Sequence, residues 1–116
     1  MEGTLVSVVV TTRNNHATLD ACLRSIAAQT YAPIELIVVD NNSTDDTKEI
    51  ARRYTPKVLN RTPERSAQRN FGVAAAGGKY VAIIDSDMEL EAEVVAACVA
   101  AMRQEPNATG VIIPEE

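Results

Sequence analysis

The sequence predicts an α/β domain built on a mostly parallel sheet with helices on both faces. Three observations lead to this prediction. Short β-branched apolar runs recur along the chain, segments with apolar side chains at helical spacing lie between them, and turn residues separate the two. Strands that alternate with helices form βαβ units, and such units place their strands parallel to each other.

The first half of the chain alternates two strands with two helices. The β-branched run Leu5–Thr11 is typical of a buried strand. Apolar side chains at helical spacing predict a helix from Ala17 to Gln29, and the β-branched run Ile34–Asp40 predicts the second strand. Ser43 and Asp46 resemble a capping box, which predicts that a second helix opens there and continues to about Tyr54.

The second half continues the same alternation. A short third strand is predicted at Lys57–Asn60, followed by a helix over Glu64–Ala76 that the next two glycines end. The apolar run Tyr80–Ile84 predicts the fourth strand. A good helix-forming segment, Glu91–Gln104, and a short apolar run, Thr109–Ile113, predict a further helix and a fifth strand.

Composition limits the classes of protein and partner. The 116 residues suit one domain, and residues 1–116 are treated as a single unit. The formal net charge is −5 and no basic stripe occurs, so nucleic acid is not an expected partner. No run approaches the roughly 20 apolar residues of a membrane span, and the N-terminus lacks the pattern of a signal peptide. We expect a cytoplasmic location, with peripheral attachment at the cytoplasmic membrane face in the full-length protein as the alternative.

Two acids directly follow the fourth predicted strand. Asp85 and Asp87 are two residues apart, and alternation along a strand would put them on the same side. Two neighbouring carboxylates repel each other unless a hard divalent cation, such as Mg²⁺ or Mn²⁺, neutralises them and bridges to phosphate oxygens. The pair therefore predicts a metal–phosphate site, with a solvated strand-to-helix turn as the alternative.

Polar clusters follow three of the predicted strands. They are Thr11–Asn14, Asp40–Ser43 and Asp85–Asp87. Because open α/β sheets bind ligands at the carboxyl ends of their strands, we expect the three clusters to line one edge of the sheet. Asp40 has a second interpretation, since an Asp there could cap the next helix through its loop.

These clusters, in this order and spacing, resemble the family 2 glycosyltransferases, which have the GT-A fold, a three-layer α/β/α Rossmann-like arrangement. The resemblance covers nearly the whole chain. The matching segments are SVVVTTRNN (Ser7–Asn15), LRSIAAQTY (Leu23–Tyr31), ELIVVDNNSTDDT (Glu35–Thr47) and AQRNFGVAAAGGKYVAIIDSD (Ala67–Asp87).

The resemblance implies a function and a set of site residues. The family transfers a sugar from a nucleoside diphosphate sugar, most often a UDP-sugar, to an acceptor, usually with inversion. By resemblance, Asp40 accepts a hydrogen bond from the base, Arg69 approaches the base or phosphates, and Asp85 and Asp87 are the DxD element that holds Mn²⁺ or Mg²⁺. The residues assigned in this way to the donor substrate are Thr11, Thr12, Arg13, Asn14, Asp40, Asn42, Arg69 and Asp85.

The chain also departs from the family pattern. Arg13 stands where the family more often has an aromatic residue, which favours an Arg–base contact over stacking. The acceptor half, which carries the general base, has no counterpart here, so we expect no catalytic residue within this chain, an unknown acceptor and no turnover by the chain alone. In the family, a strand of that half pairs between the fourth and fifth strands. We therefore expect an unpaired edge, with a homodimer or a swapped strand near Thr109–Ile113.

Two other function classes use similar architecture. A nucleotidyltransferase usually has a Gly-rich basic loop after the first strand, and TTRNNHATL contains no glycine. A phospho-receiver module needs an acid pair after the first strand, where this chain has Thr-Thr-Arg-Asn. Both remain alternatives to a donor-binding glycosyltransferase domain.

Overall fold

The computed structural model describes residues 5–14, 16–40, 43–60, 74–103 and 110–112. Within these residues the chain forms five strands and three helices. In order they are β1 (Val6–Thr12), α1 (His16–Ala27), β2 (Ile34–Asp40), α2 (Thr47–Arg52), β3 (Val58–Asn60), β4 (Tyr80–Asp85), α3 (Val94–Arg103) and β5 (Gly110–Ile112).

The strands form one sheet in the order β3-β2-β1-β4-β5, and every pair of neighbours is parallel. The central strand β1 is buried along its whole length, as its run of β-branched residues predicts. One face of the sheet packs against α1, α2 and α3, in a core that includes Val8, Leu23 and Val99. The opposite face buries a second set of side chains, among them Val9 and Ile37. The α/β fold class is confirmed.

Element bounds follow the sequence pattern closely in the strands and less closely in the helices. β2 has the predicted bounds, and β1 is displaced by one residue. The predicted Glu64–Ala76 helix lies outside the described residues except at its end, where residues 74 and 75 are helical. None of the helices in the described ranges is long and apolar enough to cross a membrane.

The capping box predicted at Ser43 and Asp46 is wrong. α2 begins only at Thr47, and its N-cap residue Asp46 makes no side-chain capping hydrogen bond. The hydroxyl of Ser43 donates instead to the carboxylate of Asp40, at the end of β2. Ser43 therefore bonds to the end of the preceding strand and not to the following helix. The helix α2 starts one turn later than expected.

No strand position lies open between the fourth and fifth strands of the described sheet. β4 pairs directly with β5, with Tyr80 opposite Gly110 and Ala82 opposite Ile112. One edge of the described sheet therefore lies on the far side of β5, and the other edge is formed by β3. Thr109 and Ile113, the ends of the predicted edge strand, fall outside the described residues.

Candidate functional site

The strand register brings three polar strand ends to one edge of the sheet, here called the rim. Thr11 in β1 lies opposite Asp85 in β4, and Thr12 lies opposite Asp40 in β2. Neighbouring strands are about 4.8 Å apart, so the ends of β2, β1 and β4 are adjacent. The predicted convergence of these ends is present, with Thr11 and Thr12 themselves buried.

The two acids after β4 lie in a turn, which we call the acid turn (residues 85–88). β4 ends at Asp85, and the backbone N–H of Met88 donates to the carbonyl of Asp85 at 3.0 Å. Asp85 is half-buried and Asp87 is exposed. Because Asp87 lies beyond the strand, strand alternation does not set its direction; the geometry of the turn does.

The acid turn suits a hard divalent cation. Its two carboxylates offer oxygen ligands, which Mg²⁺ and Mn²⁺ prefer. The Asp87 carboxylate makes no hydrogen bond or ion pair with a side chain in the described part of the chain, and it is exposed. It is therefore accessible to a cation without first breaking such a contact.

Asp40 holds the loop that follows β2. Its side chain is only 1% exposed. One carboxylate oxygen accepts from the backbone N–H of Ser43 at 2.8 Å, and the other accepts from the Ser43 hydroxyl at 2.5 Å. The second interpretation of Asp40, as a cap of the next helix, is wrong, because the N-cap residue of α2 is Asp46 and Asp40 bonds to Ser43 in the loop. Contact of Asp40 with a nucleotide base stays a prediction.

Asn14 joins the loop after β1 to the loop after β2. It has a φ of 50°, in the left-handed region that Asn tolerates better than most residues. Its N–H donates to the Ser43 hydroxyl at 2.8 Å, and its side-chain oxygen accepts from the Thr44 N–H at 2.8 Å. Asp40, Ser43 and Asn14 therefore form one connected set of bonds, and Arg13 and Asn14 are exposed beside it.

The same two loops meet again at His16, the first residue of α1. Its Nδ1 lies 3.0 Å from a carboxylate oxygen of Asp45 and 3.4 Å from one of Asp46. The hydroxyl and N–H of Thr47 also donate to Asp45, and with His16 they hold the pKa of that carboxyl below its usual range. The ligand atoms of the three residues lie within 4.8 Å of one another. Because the imidazole already faces both carboxylates, we interpret the group as a polar contact between loops.

A model of the family described as Glycosyl transferase family 2 matches residues 7–115. The chain belongs to this family. It is 38% identical over 90 residues to the glycosyltransferase GlyG of Streptococcus pneumoniae, a match that covers 72% of this chain and 30% of that protein. The chain thus spans less than a third of the length of this relative, and family membership decides against the nucleotidyltransferase and phospho-receiver classes.

Two solved structures that are similar to this chain contain UDP. S. aureus TarS 1–349 in complex with UDP superposes with a TM-score of 0.75 at 30% identity, covering 90% of this chain and 32% of that one. Glucosyl-3-phosphoglycerate synthase from Mycobacterium tuberculosis, with Mn²⁺, UDP and glucosyl-3-phosphoglycerate, superposes with a TM-score of 0.73 at 30% identity, covering 84% and 39%. The expected GT-A fold is confirmed.

One positively charged side chain at the rim was not predicted from the sequence. Lys48, in the first turn of α2, is 29% exposed and its Nζ lies 4.0 Å from a carboxylate oxygen of Asp40. The position of Lys48 in the sequence indicates a place at the rim, because the residue lies in the first turn of the helix that follows a polar strand end. Two predicted site residues, Asn42 and Arg69, lie outside the described residues.

A pocket of about 320 Å³ lies away from the rim. Its lining includes Ile34 and Leu36 from the start of β2, together with Tyr31 and Tyr54. Asp40 ends the same strand, so the pocket and the rim are at opposite ends of β2. The pocket therefore takes no part in the site assembled at the strand ends.

Proposed function

We propose that the rim binds the nucleoside diphosphate of a sugar donor, UDP foremost, together with Mn²⁺ or Mg²⁺, as the donor part of an inverting glycosyltransferase. The observation that carries the proposal is the strand register, which sets Asp40 and Asp85 on either side of the end of β1. Family membership and the UDP complexes of two similar structures support it.

The acid turn is the metal-holding part of the proposed site. A divalent cation bound there would neutralise the charge that develops on the leaving diphosphate. Asp85 and Asp87 would hold it, since both are hard oxygen donors and Asp87 is exposed. Arg13 and Lys48 add positive charge along the same rim, where the diphosphate would lie.

The loop end of the rim is the proposed nucleotide side. Asp40 would accept from a base N–H with lone pairs that Ser43 leaves available, because a carboxylate offers about four acceptor positions. The bonds of Asn14 to Ser43 and Thr44 hold the two loops in one arrangement before any ligand arrives. A pre-organised loop pair lowers the ordering cost of binding.

The acceptor and the general base belong to the proposal only as expectations. The chain covers 30% to 39% of the similar proteins described above. We propose that these 116 residues bind the donor nucleotide without transferring sugar, because each rim carboxylate described above is already assigned to the metal, a loop or the nucleotide.

Calorimetry with UDP and Mn²⁺ tests the proposal. We expect Asp87→Asn to weaken Mn²⁺-dependent UDP binding by about ten- to a hundredfold, since losing a charged contact costs about 1.5–3 kcal/mol. The matched control is Glu93→Gln, which removes one charge from an exposed residue outside the acid turn and should bind as the unaltered chain does. Absence of heat with UDP, GDP and TDP would contradict the proposal.

A further inference from the structure

A row of polar side chains runs along one side of α1 and continues just past its end. The row consists of Thr18, Cys22, Ser25 and Gln29, spaced four, three and four residues apart. Residues at this spacing lie on the same face of a helix. We call this row the polar seam. Its four side chains all bond to the backbone of one segment, residues 85–95.

The first half of the polar seam contacts the acid turn. The hydroxyl of Thr18 donates to the carbonyl of Ser86 at 3.1 Å, and the thiol of Cys22 donates to the carbonyl of Asp85 at 3.7 Å. Ser86 itself is 3% exposed. The carbonyl groups of the first two residues of the turn are thereby attached to α1.

The second half of the polar seam holds the segment that leaves the acid turn. The Ser25 hydroxyl accepts from the N–H of Leu90 at 3.0 Å. The Gln29 side chain donates to the carbonyl of Glu91 at 2.7 Å and accepts from the N–H of Val95 at 2.9 Å. The Val95 N–H lies in the first turn of α3, where backbone N–H groups have no hydrogen-bond acceptor within the helix, and Gln29 supplies that acceptor.

The first half of α1 therefore reaches both sides of the rim. The helix begins at His16, directly after the loop that carries Arg13 and Asn14, and its seam fixes the backbone of Asp85 and Ser86. These contacts lie within two turns of one hydrogen-bonded helix, so a single element sets the distance between the loop and the acid turn. Catalytic and binding groups placed in this way keep their geometry without a ligand.

We propose that the polar seam, and Thr18 above all, positions the acid turn so that its two carboxylates present one metal-binding geometry. This inference rests on the proposed function of the rim. Thr18 and Cys22 are positioning residues: they bond to the backbone of the acid turn and leave its carboxylates to the metal. Because the seam bonds described above go to backbone groups, they set the path of residues 85–95 whatever side chains those residues carry.

The test compares two threonine-to-valine substitutions. Thr18→Val removes the hydroxyl that bonds to the acid turn. Thr55→Val removes a hydroxyl that donates to the Leu36 carbonyl at 2.8 Å and accepts from the Lys57 N–H at 3.0 Å, at the opposite end of the sheet. Thr18→Ser keeps the donor. Each chain is titrated with Mn²⁺ and UDP at a temperature where circular dichroism shows it folded, and the bound Mn²⁺ is followed by electron paramagnetic resonance.

The inference predicts that Thr18→Val weakens Mn²⁺ binding about fivefold, the effect of one hydrogen bond, and changes the resonance signal of bound Mn²⁺. Thr18→Ser restores both, and Thr55→Val lowers the melting temperature without changing either. Equal affinity and signal in Thr18→Val and the unaltered chain would overturn the inference alone. Failure of the unaltered chain to bind Mn²⁺ and UDP would overturn the proposed function and the inference with it.

Discussion

Glu35 lies at the end of the sheet away from the rim and has three polar partners among the described residues. Its side chain is 13% exposed and accepts from the Lys57 ammonium. It also accepts from the Ser7 hydroxyl at 2.6 Å and from the Gly77 N–H at 2.9 Å. The bond from Lys57, then those from Ser7 and Gly77, lower the pKa of Glu35 from 4.5 to about 2.

This shift predicts a pH-dependent share of stability. A folded-state pKa below the unfolded value gives stability that is complete above about pH 4.5 and lost as the pH falls towards 2. The full shift would correspond to roughly 3 kcal/mol, and we expect about 1–2 kcal/mol because Lys57 is 53% exposed and solvent screens the pair. Urea unfolding of the unaltered chain and Glu35→Gln should differ by this amount at pH 7 and converge near pH 2.

The control for that experiment is Glu49→Gln on the exposed side of α2, which should cost less than about 0.5 kcal/mol at either pH. A difference between Glu35→Gln and the unaltered chain that persisted unchanged at pH 2 would contradict the assignment.

Residue-level prediction from the sequence succeeded where local pattern determines position. Thr11, Asp40 and Asp85 were placed at strand ends because the apolar runs stop beside them, and the structure puts them there. The partners of Asp40 were not predictable to the same degree. The Ser43 hydroxyl could bond to the following helix or to the preceding strand. In the structure it donates to Asp40 at the end of β2 and accepts from the Asn14 N–H, a contact between two loops that the sequence does not indicate.

At the scale of elements, the approach of β4 to β1 depends on one glycine. A Cβ at Gly78 would lie 2.7 Å from the backbone N of Ser7 and 2.8 Å from the carbonyl of Leu5. The Gly78 N–H also donates to the Ser7 hydroxyl at 2.8 Å. The atoms that crowd this position are mostly backbone and cannot move aside, so the start of β4 requires a residue without a side chain.

Gly78→Ala should therefore destabilise the chain by about 1–3 kcal/mol, the usual cost of overpacking. The neighbouring Gly77→Ala is a matched control, because its Cβ would meet only the Glu35 carboxylate, at 3.6 Å or more. Thermal unfolding checks both, and we expect Gly77→Ala to be neutral or slightly stabilising. Equal losses in the two variants would refute the close-approach argument.

Helix starts were the least predictable feature of the elements. α3 begins at Val94, three residues after the predicted Glu91, because residues 91–93 follow the polar seam of α1 before the helix begins. A long-range contact of this kind, between residues more than 60 positions apart, leaves no local pattern in the sequence.

At the scale of the whole molecule, the alternation of strands and helices predicted the parallel sheet. It did not predict that β4 pairs directly with β5. The order of strands in a sheet depends on which strands become neighbours in the folded chain, and the spacing of apolar residues along the sequence carries no information on this. The outer edge of β5 is the end of the described sheet, and a strand edge is a template for a second chain. The homodimer predicted near Thr109–Ile113 would form at this edge, and it stays a prediction.

Light scattering over a range of concentrations checks the dimer. We expect dimers in the unaltered chain and monomers in Ile112→Lys, which adds a charge at the end of β5. Ala100→Lys adds the same charge to the exposed side of α3 and should remain dimeric. A monomer at every concentration in the unaltered chain would refute the prediction.

The most direct measurement of the central claim is a crystal structure of the chain with UDP and Mn²⁺. The account predicts Mn²⁺ about 2.1 Å from an Asp87 carboxylate oxygen and from the diphosphate, with the base towards Asp40. Mn²⁺ held by His16, Asp45 and Asp46 instead, or UDP in the pocket beside Tyr31 and Tyr54, would contradict it.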